Sequence, residues 1–261
     1  MKRELFDAAM DGDVKRIQSL LNNGVDVNTT GCINQTPLFF ASYGGNIEAT
    51  KLLISEGAEV NVKDSFGITP LHLGSGKSIK ICKTLLENGA DVNARTNNGI
   101  TPLHLASGSG FADVVELLVE YRADVNVKIN DGVTPLHMAS RSGAVAVVKI
   151  LMANGADYDA KNEDGMTAHQ LAQETNCSEM ETEMENTLRW EGEAFHIKKW
   201  LTEFISNEPL LAEYYDCLKE DGWESMEMLE LLEEEDLDFM DDHYAKLTMK
   251  KVAELKNKNS V

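Results

Sequence analysis

The sequence predicts an all-α chain in two parts: a solenoid of short repeats carrying small β-hairpin fingers, then a small helical bundle. Three observations predict it. The tripeptide Thr-Pro-Leu recurs from Thr36, Thr69, Thr101 and Thr134, at steps of 33, 32 and 33 residues, and a weaker Thr167-Ala168-His169 follows 33 later. Each start is trailed by a second apolar segment and an ending such as Gly57-Ala58-Glu59-Val60-Asn61 or Gly89-Ala90-Asp91-Val92-Asn93. From His196 onward these starts cease, and apolar residues continue at helical spacing. A fixed period of this length decides the architecture, because one unit cannot bury its own apolar face and must stack on its neighbours.

Each element follows from its residues. Thr is a good N-cap, Pro fits the first helical position where no N–H is required, and His72, His104 and His137 at the third position can reach back toward the cap. Four first helices should therefore begin alike. Small Ala41, Ala106 and Ala139 let that helix pack closely, while Val114, Val115, Leu117 and Leu118 give a second helix its apolar stripe. Gly57, Gly89 and Gly155 suit the left-handed position that ends the second helix. Asn98-Gly99, Asp131-Gly132 and Asp164-Gly165 are tight-turn pairs, placed where a hairpin finger would project.

The terminal units read as caps. Leu5 to Asn28 lacks the Thr-Pro-Leu start but keeps Leu20-Leu21 and the ending Gly24-Val25-Asp26-Val27-Asn28. After Thr167 the second helix turns polar through Ser178, Glu179, Glu181, Glu183 and Glu185, so the stack is expected to close near Trp190. Two departures stand out. The third unit is one residue short at Gly74-Ser75-Gly76-Lys77-Ser78, and the fourth has Arg122 where the others place Gly. A non-glycine residue in the left-handed conformation costs roughly 1 kcal/mol, which makes these expected weak points.

These residues resemble the ankyrin repeat, over about residues 1 to 175. The resemblance implies an ankyrin-repeat domain over 1–190, of about six repeats including the caps. It also implies partner binding through the finger tips and the concave face of the first helices. The matching positions are Ile33, Gln35 and Tyr43, then Ser65, Phe66 and Ile68, then Lys77, Asn97, Asn98 and Ile100, then Ser109, Asn130, Asp131, Arg141 and Ser142. Tyr43, Phe66 and Arg141 are of types that dominate binding energies; for any single residue the plain alternative is incidental exposure.

After a short linker at 191–195, the succession Trp200-Leu201, Tyr214, Leu229, Leu232 and Glu234-Glu235-Asp236-Leu237 resembles a sterile alpha motif (SAM) domain over 196–258, with 259–261 as a tail. Where that family usually has Gly-Ile and then Gly-His-Arg, this chain has Asp241-Asp242 and His243-Tyr244-Ala245. Many SAM domains meet head to tail through two surfaces. The resemblance implies an acidic one at Glu233, Glu234, Glu235, Asp236 and Asp238, and a basic one at Lys246, Lys250 and Lys251, with another SAM domain as partner. The plain reading of the acidic run is a solvated face.

Composition narrows the function. The formal charge of −20, from 44 acidic and 24 basic side chains, disfavours nucleic acid and anionic membrane as partners. Cys32, Cys82, Cys177 and Cys217 lie far apart with no zinc-ligand spacing, as expected of a reduced cytoplasmic or nuclear chain. No apolar signal core follows Met1, and no run approaches a membrane span. Gly74-Ser75-Gly76-Lys77-Ser78 has the ending of a phosphate-binding loop, but the loop's first glycine would fall at Leu71 and no buried strand precedes it. The recurring histidines fit capping better than a metal or catalytic set. The sequence thus points to a non-enzymatic adaptor without a cofactor, whose repeats hold a client protein while the SAM-like segment pairs with another SAM domain. The alternative is an RNA-associated regulator, since some SAM domains read RNA hairpins; residues 196–261 oppose it with eight Lys, no Arg and 17 acidic residues.

Overall fold

A computed structural model describes residues 1–174. The expected closure near Trp190, the linker and the SAM-like segment, with its acidic set from Glu233 to Asp238 and its lysines Lys246, Lys250 and Lys251, lie outside the described residues.

Five helix pairs follow one another: α1 (Lys2–Asp11) with α2 (Val14–Asn22), α3 (Pro37–Gly44) with α4 (Ile47–Ser55), α5 (Pro70–Ser75) with α6 (Ile79–Glu87), α7 (Pro102–Ser109) with α8 (Ala112–Glu120), and α9 (Pro135–Ser142) with α10 (Val145–Ala153). A sixth unit opens with α11 (Ala168–Glu174). First helices pack on first helices and second on second, which makes two layers. Between them lie Leu38, Leu71, Leu103 and Leu136 from one layer, and Leu53, Leu85, Leu118 and Leu151 from the other, all buried. Their repetition at the period of the sequence is what turns a series of helical hairpins into one continuous core.

The first helices start as expected. Thr36, Thr69, Thr101 and Thr134 are extended N-caps followed by Pro at the first helical position. His72 Nδ1 accepts from the Thr69 N–H at 3.2 Å and lies 2.8 Å from its hydroxyl, and His104 and His137 repeat this on Thr101 and Thr134. The ring has a second task. Its Nε2–H donates to a carbonyl of the next repeat, His72 to Ile100 at 3.0 Å, His104 to Val133 at 3.2 Å and His137 to Met166 at 3.1 Å. A capping role accounts for one nitrogen; the other joins repeats. Phe39 stands at this position in α3, so the second repeat lacks the link.

A second ladder runs through the asparagines that end each unit. Asn28, Asn61, Asn93 and Asn126 each donate to the carbonyl at the left-handed position of the next repeat and accept from an N–H two residues beyond, as when Asn61 spans Gly89 O and Asp91 N at 2.8 Å each. Each amide thereby satisfies two backbone groups that neither helix can reach.

The fingers correct the expectation of β-hairpins. Among the described residues no strand forms, and one isolated bridge joins Lys161 and Thr167. Each finger is a short turn, such as Asp64 N–H to Ile68 O at 2.9 Å with Gly67 N–H back to Asp64 O. The ladder stops there because the next donor on the returning side would be Pro70, which has no N–H; where Ala168 stands at the same place a bridge does form, although the Thr167 N–H is taken by Gln170. The outer groups turn sideways: Ser65 N–H reaches Ile33 O, Asn97 reaches Phe66 O, Asn130 reaches Asn98 O and Glu163 reaches Asp131 O, at 2.9 to 3.1 Å. Fingers thus bond to neighbouring fingers as well as within their own turns.

Both sequence departures have a structural counterpart. Arg122 takes the left-handed conformation, φ 66°, as Gly57, Gly89 and Gly155 do. An added Cβ at those glycines would meet nothing within 4 Å, so the cost at Arg122 is local backbone strain without a clash. In the short third unit, Lys77 N–H and Ser78 N–H both bond to Gly74 O at 2.9 Å, and α6 is drawn against α5. A Cβ at Gly74 would stand 2.9 Å from Ile81 Cγ2, although Ala41, Ala106 and Ala139 occupy the same place elsewhere. Loss of one residue in the turn is accommodated by loss of one methyl group in the helix.

Candidate protein-interaction surface

Burial along α3 covers Leu38, Phe39, Ala41 and Ser42 and leaves Phe40, Tyr43 and Gly44 outward, at i, i+3 and i+4. The same register exposes or half-exposes Leu73, Gly76 and Lys77, then Leu105, Gly108 and Ser109, then Met138, Arg141 and Ser142. These stripes touch. Lys77 Nζ lies 5.2 Å from the Tyr43 ring centre, a Cβ at Gly76 would reach Ser109 Oγ at 4.0 Å, one at Gly108 would reach Met138 Cε at 3.4 Å, and Ser142 Oγ donates to Ser107 O at 3.5 Å. One continuous surface therefore crosses the second to fifth repeats. Where Gly108, Ser109 and Ser142 meet Ala144 and Val145, it opens into a groove of about 320 Å³.

Of the fifteen residues singled out on the repeats, Ile33, Tyr43, Ser65, Phe66, Lys77, Asn97, Asn98, Ser109, Asn130, Asp131, Arg141 and Ser142 are exposed. Phe66, on the second finger, is the most open large apolar side chain among them at 57%. Gln35, Ile68 and Ile100 are half-buried. The backbone of Ile68 and Ile100 is engaged in the stack: Asp64 Oδ1 holds the Ile68 N–H at 2.9 Å, and Ile100 O receives His72. Phe40, Leu73, Leu105 and Met138 belong to the same surface and were not singled out; their signal is the variable position after each Thr-Pro-Leu-His or its equivalent.

The competing chemistries find no support in the geometry. Lys77 and Ser78 spend their N–H groups on Gly74 O, so the Gly74 to Ser78 turn has no cradle of free amides for phosphate. The histidines are buried with both ring nitrogens engaged, and burial pushes each below the usual imidazole range, His104 to about 4, against the opposing pull of the carbonyl bond. Cys82 is buried, its thiol pushed up to about 11, while Cys32 is exposed on the first finger. Among the described residues no group of His, Cys, Asp and Glu has the arrangement to hold a metal, and no helix is long and apolar enough to cross a membrane.

The family model for ankyrin repeats, three copies of the unit, matches residues 5–96 and 93–162, more than half of the 261 residues. The chain belongs to the ankyrin-repeat family. None of the curated proteins compared matches it. Ankyrin repeats generally mediate protein–protein interaction, and the exposed stripe and fingers of this ankyrin stack, like the outer faces of its second helices, carry no inter-layer packing.

Proposed function

We propose that the protein is a non-enzymatic adaptor that holds a client protein on the first-helix stripe and fingers. The observation that carries this reading is the unbroken run of open side chains from Tyr43 and Phe66 to Arg141, on elements whose other faces are fully packed. Aromatic and arginine side chains on a rigid frame bind at low entropic cost. The segment 196–258, on its resemblance to a SAM domain, would supply the second contact, its acidic residues Glu234 and Asp236 meeting the basic helix of a different SAM domain.

The test is the full chain carrying Tyr43→Ala, Phe66→Ala and Arg141→Ala together. A client should bind more weakly by more than about 2 kcal/mol while the thermal transition of the repeats is retained. Unchanged affinity in the folded triple variant would reject the surface.

A further inference from the structure

The chain carries 44 acidic residues, yet α3, α5, α7 and α9 contain none. Among the second helices acid does occur, at Glu48, Glu87, Asp113, Glu116 and Glu120 of α4, α6 and α8, beside Lys51, Lys80 and Lys83, while α10 has none. What charge the first-helix stripe does expose is Lys77 and Arg141, and neither forms an ion pair among the described residues. Lys77 Nζ rests against the Tyr43 ring, which positions the ammonium without giving it a carboxylate. Between the two cations lie glycines, Gly76 and Gly108, where the outer repeats place Tyr43 and Arg141 themselves. Half-open Phe40, Leu73, Leu105 and Met138 run alongside. Exposed acid returns at the limits, with Asp7 and Asp11 on α1 and with Asp131, Glu163 and Asp164 on the last fingers, whereas Asp64 on the second finger is buried and holds the Phe66 and Ile68 N–H groups.

We infer that the occupant of this surface is an acidic protein segment with apolar side chains. It lays those side chains on Phe40, Leu73, Leu105 and Met138 and two carboxylates on Lys77 and Arg141. The inference rests on the adaptor reading and specifies its partner. Lys77 and Arg141 are two repeats apart, and first helices packed at 8 to 10 Å place them about 16 to 20 Å apart. Extended chain rises roughly 3.3 Å per residue, so the two acidic positions are separated by about five or six residues. The glycines leave room for bulky side chains between them. A basic segment meets two uncompensated cations and is rejected, which makes Lys77 and Arg141 determinants of specificity as well as affinity.

The probe is a pair of labelled twelve-residue peptide pools with the same Leu and Phe positions, one with Asp and Glu at the polar positions and one with Lys and Arg, read by fluorescence anisotropy on the full chain. The acidic pool should bind at least tenfold more tightly than the basic pool, and less tightly as salt rises. Lys77→Glu with Arg141→Glu should cost the acidic pool at least tenfold and favour the basic pool, whereas Lys51→Glu with Lys83→Glu on the second helices should change neither. Equal binding of the two pools, no binding of the acidic pool, or indifference to the first charge reversal overturns the inference. Loss of binding in Tyr43→Ala/Phe66→Ala without sensitivity to charge would keep the adaptor surface and discard its acidic partner; indifference to both variants would discard both.

Discussion

The ammonium of Lys77 stands 5.2 Å from the centre of the Tyr43 ring, across the join between the second and third repeats. Both residues stand at contact positions of the repeat pattern, and stacking of the repeats brings them together.

An exposed pair of this kind contributes about 0.5 to 1 kcal/mol. A double-mutant cycle of Tyr43→Leu and Lys77→Met, followed by urea unfolding, should return a coupling of about that size. A coupling indistinguishable from zero would mean that the lysine does not rest on the ring in solution.

Arg122 invites the opposite change. With φ at 66° and no clash to relieve, Arg122→Gly should raise stability by about 1 kcal/mol, measured as a higher urea midpoint at unchanged slope. The same substitution should shorten the bond from Asn93 to the carbonyl of residue 122, which at 3.3 Å is the longest of its ladder.

Gly74→Ala should be destabilising, against the usual preference of a helix for Ala by about 1 kcal/mol. The new methyl would meet Ile81 Cγ2 at 2.9 Å, and overpacking of this kind costs about 1 to 3 kcal/mol. Adding Ile81→Val removes the crowding on one side and should recover part of the loss.

Thr50 occupies a fully buried position in α4, filled by Cys82, Val115 and Val148 in α6, α8 and α10, and its hydroxyl has no hydrogen-bond partner. Thr50→Val keeps the shape and removes a polar group left dry, so a gain of about 1 kcal/mol in unfolding free energy is expected.

Acid should weaken the stack through the histidines. In the unfolded chain imidazole takes a proton near pH 6.5, while burial holds His104 neutral down to about 4, with Arg95 and His72 adding to the depression. Between those values the unfolded state binds more protons, so stability is full above about pH 6.5 and falls as pH drops toward 4, by about 3 kcal/mol for His104 alone. For His72, Lys63 deepens the depression and Asp64 and Asp91 oppose it; for His137, Lys128 deepens it and Asp157 opposes it. In urea titrations from pH 8 to 4, His104→Gln should lose markedly less stability than the parent chain over that window. Parallel curves would assign the acid sensitivity elsewhere.

Much of the stack is legible from local rules. Thr, Pro and His at each start, Gly at each ending and the Leu pairs in phase determine where helices begin, where they stop and which side is buried, because capping and amphipathicity act within a few residues. The histidine's second bond and the asparagine ladder were not readable, since their acceptors lie 28 to 29 residues away in the next repeat. The fingers show the same limit. Asn98-Gly99 and Asp131-Gly132 do mark turns, but a turn extends into a hairpin only if the next residue of the ladder has an N–H to give, and here that place falls on the proline that opens the first helix.

By itself the sequence determined the repeat, its phase and its capping chemistry, all of them interactions between residues close along the chain. It also determined that the first helices of the second to fifth repeats carry no acid. Only the tertiary structure decided that Gly74 offsets a missing turn residue, that Lys77 lies on Tyr43, and that Phe40, Leu73, Leu105 and Met138 join into one surface. Each of those is a contact between neighbouring elements, and its geometry exists only once the helices are stacked.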